Sequence, residues 1–372
     1  MHSPSSLQKS IAAALTAFCV TGSGQAAADV EPLGMIEAVA AGTTSQAQGI
    51  SADGSVVVGW GSPPGAHPHL DDFPRSVGFR WTAAGGMKKL PALPGGGEIV
   101  VAEGVSADGM VTVGGSDVLA DGTYTLARAV RWVGGGPAQQ LPMLGDELSS
   151  MALAASANGR VIVGYRVNDR MHRRAIRWQD GALPHDLGDF GGNSTYASAV
   201  SGDGVHIVGI ARNVAGHSRA FVWSEADGMR DIGTLPGHSG AQATAISANG
   251  NVVVGISGNG LTNPNLGIPD DGTVHGFIWH RDSGQMMEIT NPLGGTLVMP
   301  TAVSADGSMV VGVVIDGRGR AHVFRWRRGS GMQVSVSMSP TRHMNFIRGL
   351  SADGRYSAGR LESGTACRMR WR

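Results

Sequence analysis

Cysteine, aromatic residues and any excess of one charge are all scarce in this chain. Two cysteines, Cys19 and Cys367, occur in 372 residues, so bridges cannot hold the fold and a buried core must. Lys plus Arg and Asp plus Glu both number 29. The missing basic field speaks against nucleic acid and anionic lipid as partners. Long apolar runs are missing too: the stretch Ile11–Val20 is too short to cross a bilayer and no later run is long enough, so no membrane span is expected. Aromatics make up 5% of the chain while Gly reaches 58 residues. That balance suits many short strands joined by tight turns and defines an all-β class.

The N-terminal stretch stands apart. Lys9 supplies a positive flank, Ile11–Val20 an apolar stretch and Ala26-Ala27-Ala28 a small-residue cleavage site, the three parts of a secretory signal peptide over 1–28 cut before Asp29. Phe18 stands where a lipid anchor on Cys19 would need a small residue. The mature region, 29–372, is therefore expected as one exported domain, periplasmic, extracellular or at the cell surface, and monomeric. Cleavage leaves Cys367 without an internal partner, and it reads as a small buried hydrophobe in a strand beside Trp371.

Within that region one phrase occurs seven times: Ser, a small residue, Asp or Asn, Gly, and after four more residues a second Gly. It begins as Ser51-Ala52-Asp53-Gly54 with Gly59 and returns from Ser106, Ser156, Ser201, Ser247, Ser304 and Ser351, every 45 to 57 residues. A Trp closes each unit's third apolar segment, at Trp81, Trp132, Trp178, Trp223, Trp279, Trp326 and Trp371. In one unit, 243–247 alternates as strand A, Ala248-Asn249-Gly250 turns, and 251–255 is a β-branched strand B. Strand C ends at Trp223 in 219–223, and strand D covers 229–235. The Asp-Gly and Asn-Gly pairs predict hairpin turns in which those residues accept positive φ, with the Ser hydroxyl bonding turn backbone. Five of the Trp follow an Arg, at Arg80, Arg131, Arg177, Arg325 and Arg370, expected to reach solvent at the strand end.

Four short strands per unit over seven units predict a seven-bladed β-propeller of four-stranded blades. The last unit stops after its C strand, 367–371, while a spare D-like segment, 33–38, precedes the first A strand. Pairing of that N-terminal strand into the C-terminal blade would close the ring and leave no free edge.

With these residues in place the chain resembles the HAF-type extracellular repeat proteins of bacteria. The shared features are Ser304-Ala305-Asp306-Gly307, Val310-Val311-Gly312, His275-Gly276-Phe277-Ile278-Trp279, and Gly228-Met229 running on to Leu235. The namesake His stands only at His275 and His322, with Arg128, Arg174 and Arg219 at that position elsewhere. The resemblance implies secretion and a propeller-like fold, and implies no enzymatic activity.

Candidate sites lie where the repeat varies. The longest loops follow Gly59 and Gly255. The first carries His67, His69, Asp71 and Asp72, residue types that ligate zinc. The second carries Asn263, Asn265, Asp270 and Asp271, a set that suits calcium. Neither has diagnostic spacing, and both also fit a solvated surface loop. The seven turn residues Asp53, Asp108, Asn158, Asp203, Asn249, Asp306 and Asp353 are structural, because Asn serves a turn as well as Asp but would end acid chemistry. No cofactor motif or catalytic constellation is present. The function expected is a binding module that takes a protein, peptide or glycan on its loop rim. The alternatives are an exported propeller enzyme of lyase or glycosidase type and a surface adhesin. Ionisable side chains converging at a channel mouth would mark the enzyme; a lining of Ala, Thr and Gly would mark the module.

Overall fold

The computed structural model describes residues 28–36, 44–62, 76–97, 99–120, 124–261, 274–334 and 347–372. All regular elements among them are β-strands, arranged as five four-stranded antiparallel sheets and one eight-stranded sheet. The larger sheet joins the third and fourth repeats through a single parallel bridge, Arg173 with Ser194. The fifth repeat shows the common plan: A is Gly240–Ile246, B is Val252–Gly258, C is His275–His280 and D is Gln285–Ile289, paired in that order.

The repeated phrase builds the A to B turn by one set of bonds in all seven copies. In the fifth repeat the Ser247 hydroxyl donates to Asn249 Oδ1 (2.6 Å) and accepts the Val252 N–H (3.0 Å), while Asn249 Oδ1 also accepts the Asn251 N–H (3.0 Å). In the first repeat Ser51, Asp53, Ser55 and Val56 form the same three bonds. Positive φ falls on the Gly alone, 73° at both Gly54 and Gly250, and not on the Asp or Asn as expected. The Gly N–H bonds back to the Ser carbonyl (Gly250 to Ser247, 2.9 Å), so Asp or Asn occupies the third position of an ordinary right-handed turn and only its successor turns left-handed. The second Gly answers a bulge in strand A: a Cβ on Gly255 would stand 2.1 Å from the Gln242 carbonyl oxygen.

Neighbouring repeats are joined by backbone and by core. Ala52, Ala107, Ala157 and Gly202 donate their N–H groups to the carbonyls of Ala107, Ala157, Gly202 and Ala248 (2.9 to 3.0 Å). Asn249 then donates to Ala305, Ala305 to Ala352, and Ala352 back to Ala52 (2.9 to 3.1 Å). Between sheets, the C-strand pair of one repeat fills against the repeat before it, as expected from their shared face. Ile176 and Trp178 pack on Val113, Ala129 and Leu141, and Phe221 and Trp223 on Val161, Val163 and Leu187. The indole N–H of Trp178 donates to the Pro142 carbonyl (2.8 Å), so this large side chain is buried with its one polar atom satisfied. The arginines before Trp do not all run out to solvent. Arg325 is buried and donates to the Gln333 side chain (2.8 Å), and Arg80 donates to the Gly109 carbonyl of the next repeat (3.1 Å); short partners nearby satisfy these heads better than a stretch to the rim.

The strand added to the last sheet is Ala28–Pro32, antiparallel to Ala366–Trp371 with Val30 opposite Met369. This corrects the expected D-like segment at 33–38. Leu33 and Ile36 instead turn inward and are buried with Phe79, Trp81, Ala358 and Ala366, between the first and last repeats, while residues 37–38 lie outside the described residues. Asp29–Arg372 and Glu31–Arg368 ion pairs flank the added strand. The D strand of the fourth repeat is likewise shorter than expected, Gly228–Asp231 rather than 229–235, and Leu235 enters the core.

Candidate functional site

Every A strand carries a register shift three residues before the phrase Ser, and those of the third and fourth repeats carry a second one nearer their start. The shifts place Gln48, Glu103, Leu153, Ser198, Thr244, Thr301 and Arg348 at equivalent positions in strands otherwise rich in Ala and Gly. A bulge re-aims the extra residue's side chain. Glu103 of the second repeat and Arg348 of the seventh attract one another electrostatically across the first repeat, and the Trp60 side chain also favours the charged form of Glu103. Burial outweighs both partners and raises the Glu103 carboxyl from 4.5 to about 7. Burial also lowers the Arg348 guanidinium, against the pull of Glu103. The row thus holds one ionisable pair, with Ser and Thr among the other five. The Thr244 hydroxyl is already engaged, donating to the Pro300 carbonyl (2.8 Å).

A polar cleft lies on the rim that carries the B to C and D to A connections, in the third repeat. It encloses about 520 Å³ and is lined by Asp146, Arg166, Asn168, Asp169, Arg170, His172, Arg174 and Asp186. Asp146 precedes strand A (Glu147–Ala155), Arg166 lies near the end of strand B (Val161–Asn168), Arg174 is the second residue of strand C (Arg173–Gln179), and Asp186 lies in the two-residue strand D (His185–Asp186). Arg166 is 7% exposed and donates to Asp146 Oδ1 at 2.7 Å, with Asp186 Oδ2 at 3.5 Å. Arg174 holds Asp186 with two parallel bonds of 3.0 Å, from Nε and Nη2, and pairs with Asp189 through Nη1. Burial pushes the Asp186 carboxyl upward, but the Arg174 bonds, the Gly188 N–H and the two guanidinium charges prevail and hold it below the usual carboxylate range. These side chains are fixed by one another before any ligand arrives.

The residues singled out from sequence fare unevenly. His67, His69, Asp71 and Asp72, and Asn263, Asn265, Asp270 and Asp271, all lie outside the described residues. Among the described residues no group of three or more metal-ligating side chains comes together. Cys367 is buried in the C strand of the last repeat, packed with Met369 and Trp371, and burial lifts its thiol to about 12. The five turn aspartates are held below the usual range, Asp53 chiefly by the Ser51 hydroxyl, and Asn158 and Asn249 make the same bonds in their turns. The cleft and the bulge row were passed over in sequence. Their trace is compositional: a variable position in the Ala- and Gly-rich A strands, and a run of charge at 166–174 where the repeat otherwise turns on Gly.

No family model matches the chain, and no curated protein matches it. Solved structures do. The oligogalacturonate lyase of Vibrio parahaemolyticus superposes with a TM-score of 0.58 over 93% of this chain and 96% of that one, at 10% identity. The hydrazine synthase of Kuenenia stuttgartiensis gives 0.51 over 87% and 94%, at 15% identity. A putative TolB of Agrobacterium tumefaciens gives 0.44 over 89% and 90%, at 12% identity. Likeness at such identities carries the fold alone. With the repeated four-stranded antiparallel sheets, it makes this chain a β-propeller repeat protein. No helix among the described residues is long and apolar enough to cross a membrane.

Proposed function

We propose that the chain is an exported, seven-bladed propeller of the HAF-type repeat kind that acts as a binding module, taking its ligand in the rim cleft of the third blade. One observation carries this reading: the Arg166, Arg174, Asp146, Asp186 and Asp189 network. It spends five charged side chains on holding an open polar surface in a set shape, which lowers the ordering cost of binding. Ring closure is supported by the series of turn bonds that returns from Ala352 to Ala52 and by the strand at 28–32 beside 366–371. Export is supported by the charged, apolar and small-residue succession before Asp29. The test is a screen of the purified 29–372 region on mixed glycan and peptide arrays, repeated with Arg170→Ala and Arg174→Ala. The expected result is retention of a ligand by the parent and its loss in both variants; a ligand that both variants hold unchanged would place binding elsewhere.

A second reading has its own support in Glu103. A carboxyl near 7 beside a guanidinium suits a general acid or base, so an exported propeller enzyme would use the Glu103–Arg348 pair. Glu103→Gln would then abolish turnover of a polysaccharide that the parent degrades, while Arg170→Ala would leave the chemical step intact.

A further inference from the structure

Four B to C turns share one geometry. In the third, fourth, sixth and seventh repeats the turn's first residue donates its N–H to the fifth residue's carbonyl and its carbonyl accepts the fourth residue's N–H: Asn168 with His172 and Met171, Asn213 with His217 and Gly216, Asp316 with Arg320 and Gly319, Leu361 with Thr365 and Gly364. The fourth position is left-handed in every copy. Gly216, Gly319 and Gly364 have φ of 81°, 78° and 80°, as a Cβ-free residue allows, but the third repeat puts Met171 there at 61°. Its side chain is 73% exposed, so no core contact offsets the backbone cost. Met171 stands on the lip of the cleft, between the lining residues Arg170 and His172. Strain kept at an exposed site beside a preorganised cleft points to function.

The cleft's chemistry narrows the ligand. Its acids Asp146, Asp169 and Asp186 are matched in number by Arg166, Arg170 and Arg174, and the Arg166 and Arg174 guanidiniums already hold carboxylates. An anion would compete with those carboxylates, and a cation would meet the guanidiniums. A peptide would want apolar pockets or a strand edge, yet all eight lining residues are polar and the turn's backbone is closed by its own bonds. A neutral ligand whose every hydroxyl both donates and accepts fits the fixed alternation of donors and acceptors. The flexible thioether of Met171 suits the C–H face of a sugar ring.

We infer, resting on the binding role proposed above, that this cleft takes a neutral oligosaccharide, with its hydroxyls on the Arg and Asp network and one pyranose face on Met171. The test is calorimetric titration of the 29–372 region with cellohexaose, maltohexaose, laminarihexaose, mannohexaose and xylohexaose, and with hexagalacturonate as the charged comparator. At least one neutral hexaose binds, with affinity almost unchanged between about 0.05 and 0.5 M NaCl because no net charge is screened. Met171→Gly weakens that binding by about tenfold while melting no lower than the parent, since Gly is the residue the other three turns use. Arg170→Gln, a change at an exposed position, weakens it without loss of fold. No binding by any of the five, preference for hexagalacturonate with steep salt dependence, or full binding by Met171→Gly would each overturn the inference. A display-selected peptide lost from Arg170→Ala and Arg174→Ala would overturn the glycan assignment and leave the binding role standing.

Discussion

Glu103 is the residue whose ionisation the fold perturbs against its own stability. Its carboxyl sits at 4.5 when free and near 7 in the folded protein, so folding favours the protonated form. The stability this lends is complete below about pH 4.5 and is lost as pH rises towards 7. Glu103→Gln removes that dependence: relative to the parent, the variant gains in melting temperature on going from pH 5 to pH 8, and equal shifts of both proteins would contradict the burial argument. The turn aspartates act in the opposite sense. With folded values held low, they stabilise above the ordinary carboxylate range and lose that contribution as pH falls through their lowered values. Glu103 left no periodic trace in sequence, because a position filled by Gln, Glu, Leu, Ser, Thr, Thr and Arg in turn looks like noise until the bulge aligns it. The cleft was hidden for a different reason: its side chains come from four separate segments that only the third sheet brings together.

At the scale of the element, the A to B turn was the most legible part of the molecule. Its Ser, Asp or Asn, and Gly are each demanded by a bond or a dihedral angle, so the phrase marks the hairpins wherever it occurs. Replacing the hydroxyl tests this. Ser247 is fully buried, and its oxygen is the acceptor for the Val252 N–H. Ser247→Ala leaves that N–H without its acceptor, an expected cost of about 1 to 3 kcal/mol by urea unfolding, whereas Asn249→Asp keeps the Oδ1 acceptor of the turn, loses only the Nδ2 bond to the Asp306 carbonyl, and is expected to change stability by about 0.5 kcal/mol. The closing strand was less legible. Four of its five residues, Asp29 to Pro32, are exposed, so apolar alternation was missing, while the apolar Leu33 and Ile36 that drew attention belong to the core between repeats.

Over the whole molecule, stability is a sum of sheets and the contacts between neighbours, and the strand at 28–32 affects both. It completes the last sheet, and its Asp29 and Glu31 pair with Arg372 and Arg368. Arg368 also donates to the Gly54 carbonyl of the first repeat (2.8 Å) and lies over the Trp81 ring, 4.9 Å from its centre. Deleting 28–32 bares the edge at Ala366–Trp371 and is expected to lower the melting temperature and to promote concentration-dependent association beyond that of the parent. Light scattering that matches the parent at every concentration would show the edge to be dispensable.

That the two ends of the chain share one sheet bears on when the protein can finish folding. Strand 366–371 is made late and its outer partner, 28–32, early, so the last sheet waits for both. The other sheets form from strands close in sequence, whereas this one gains its fourth strand only through a contact that spans nearly the whole chain, so it is expected to be the last to lock.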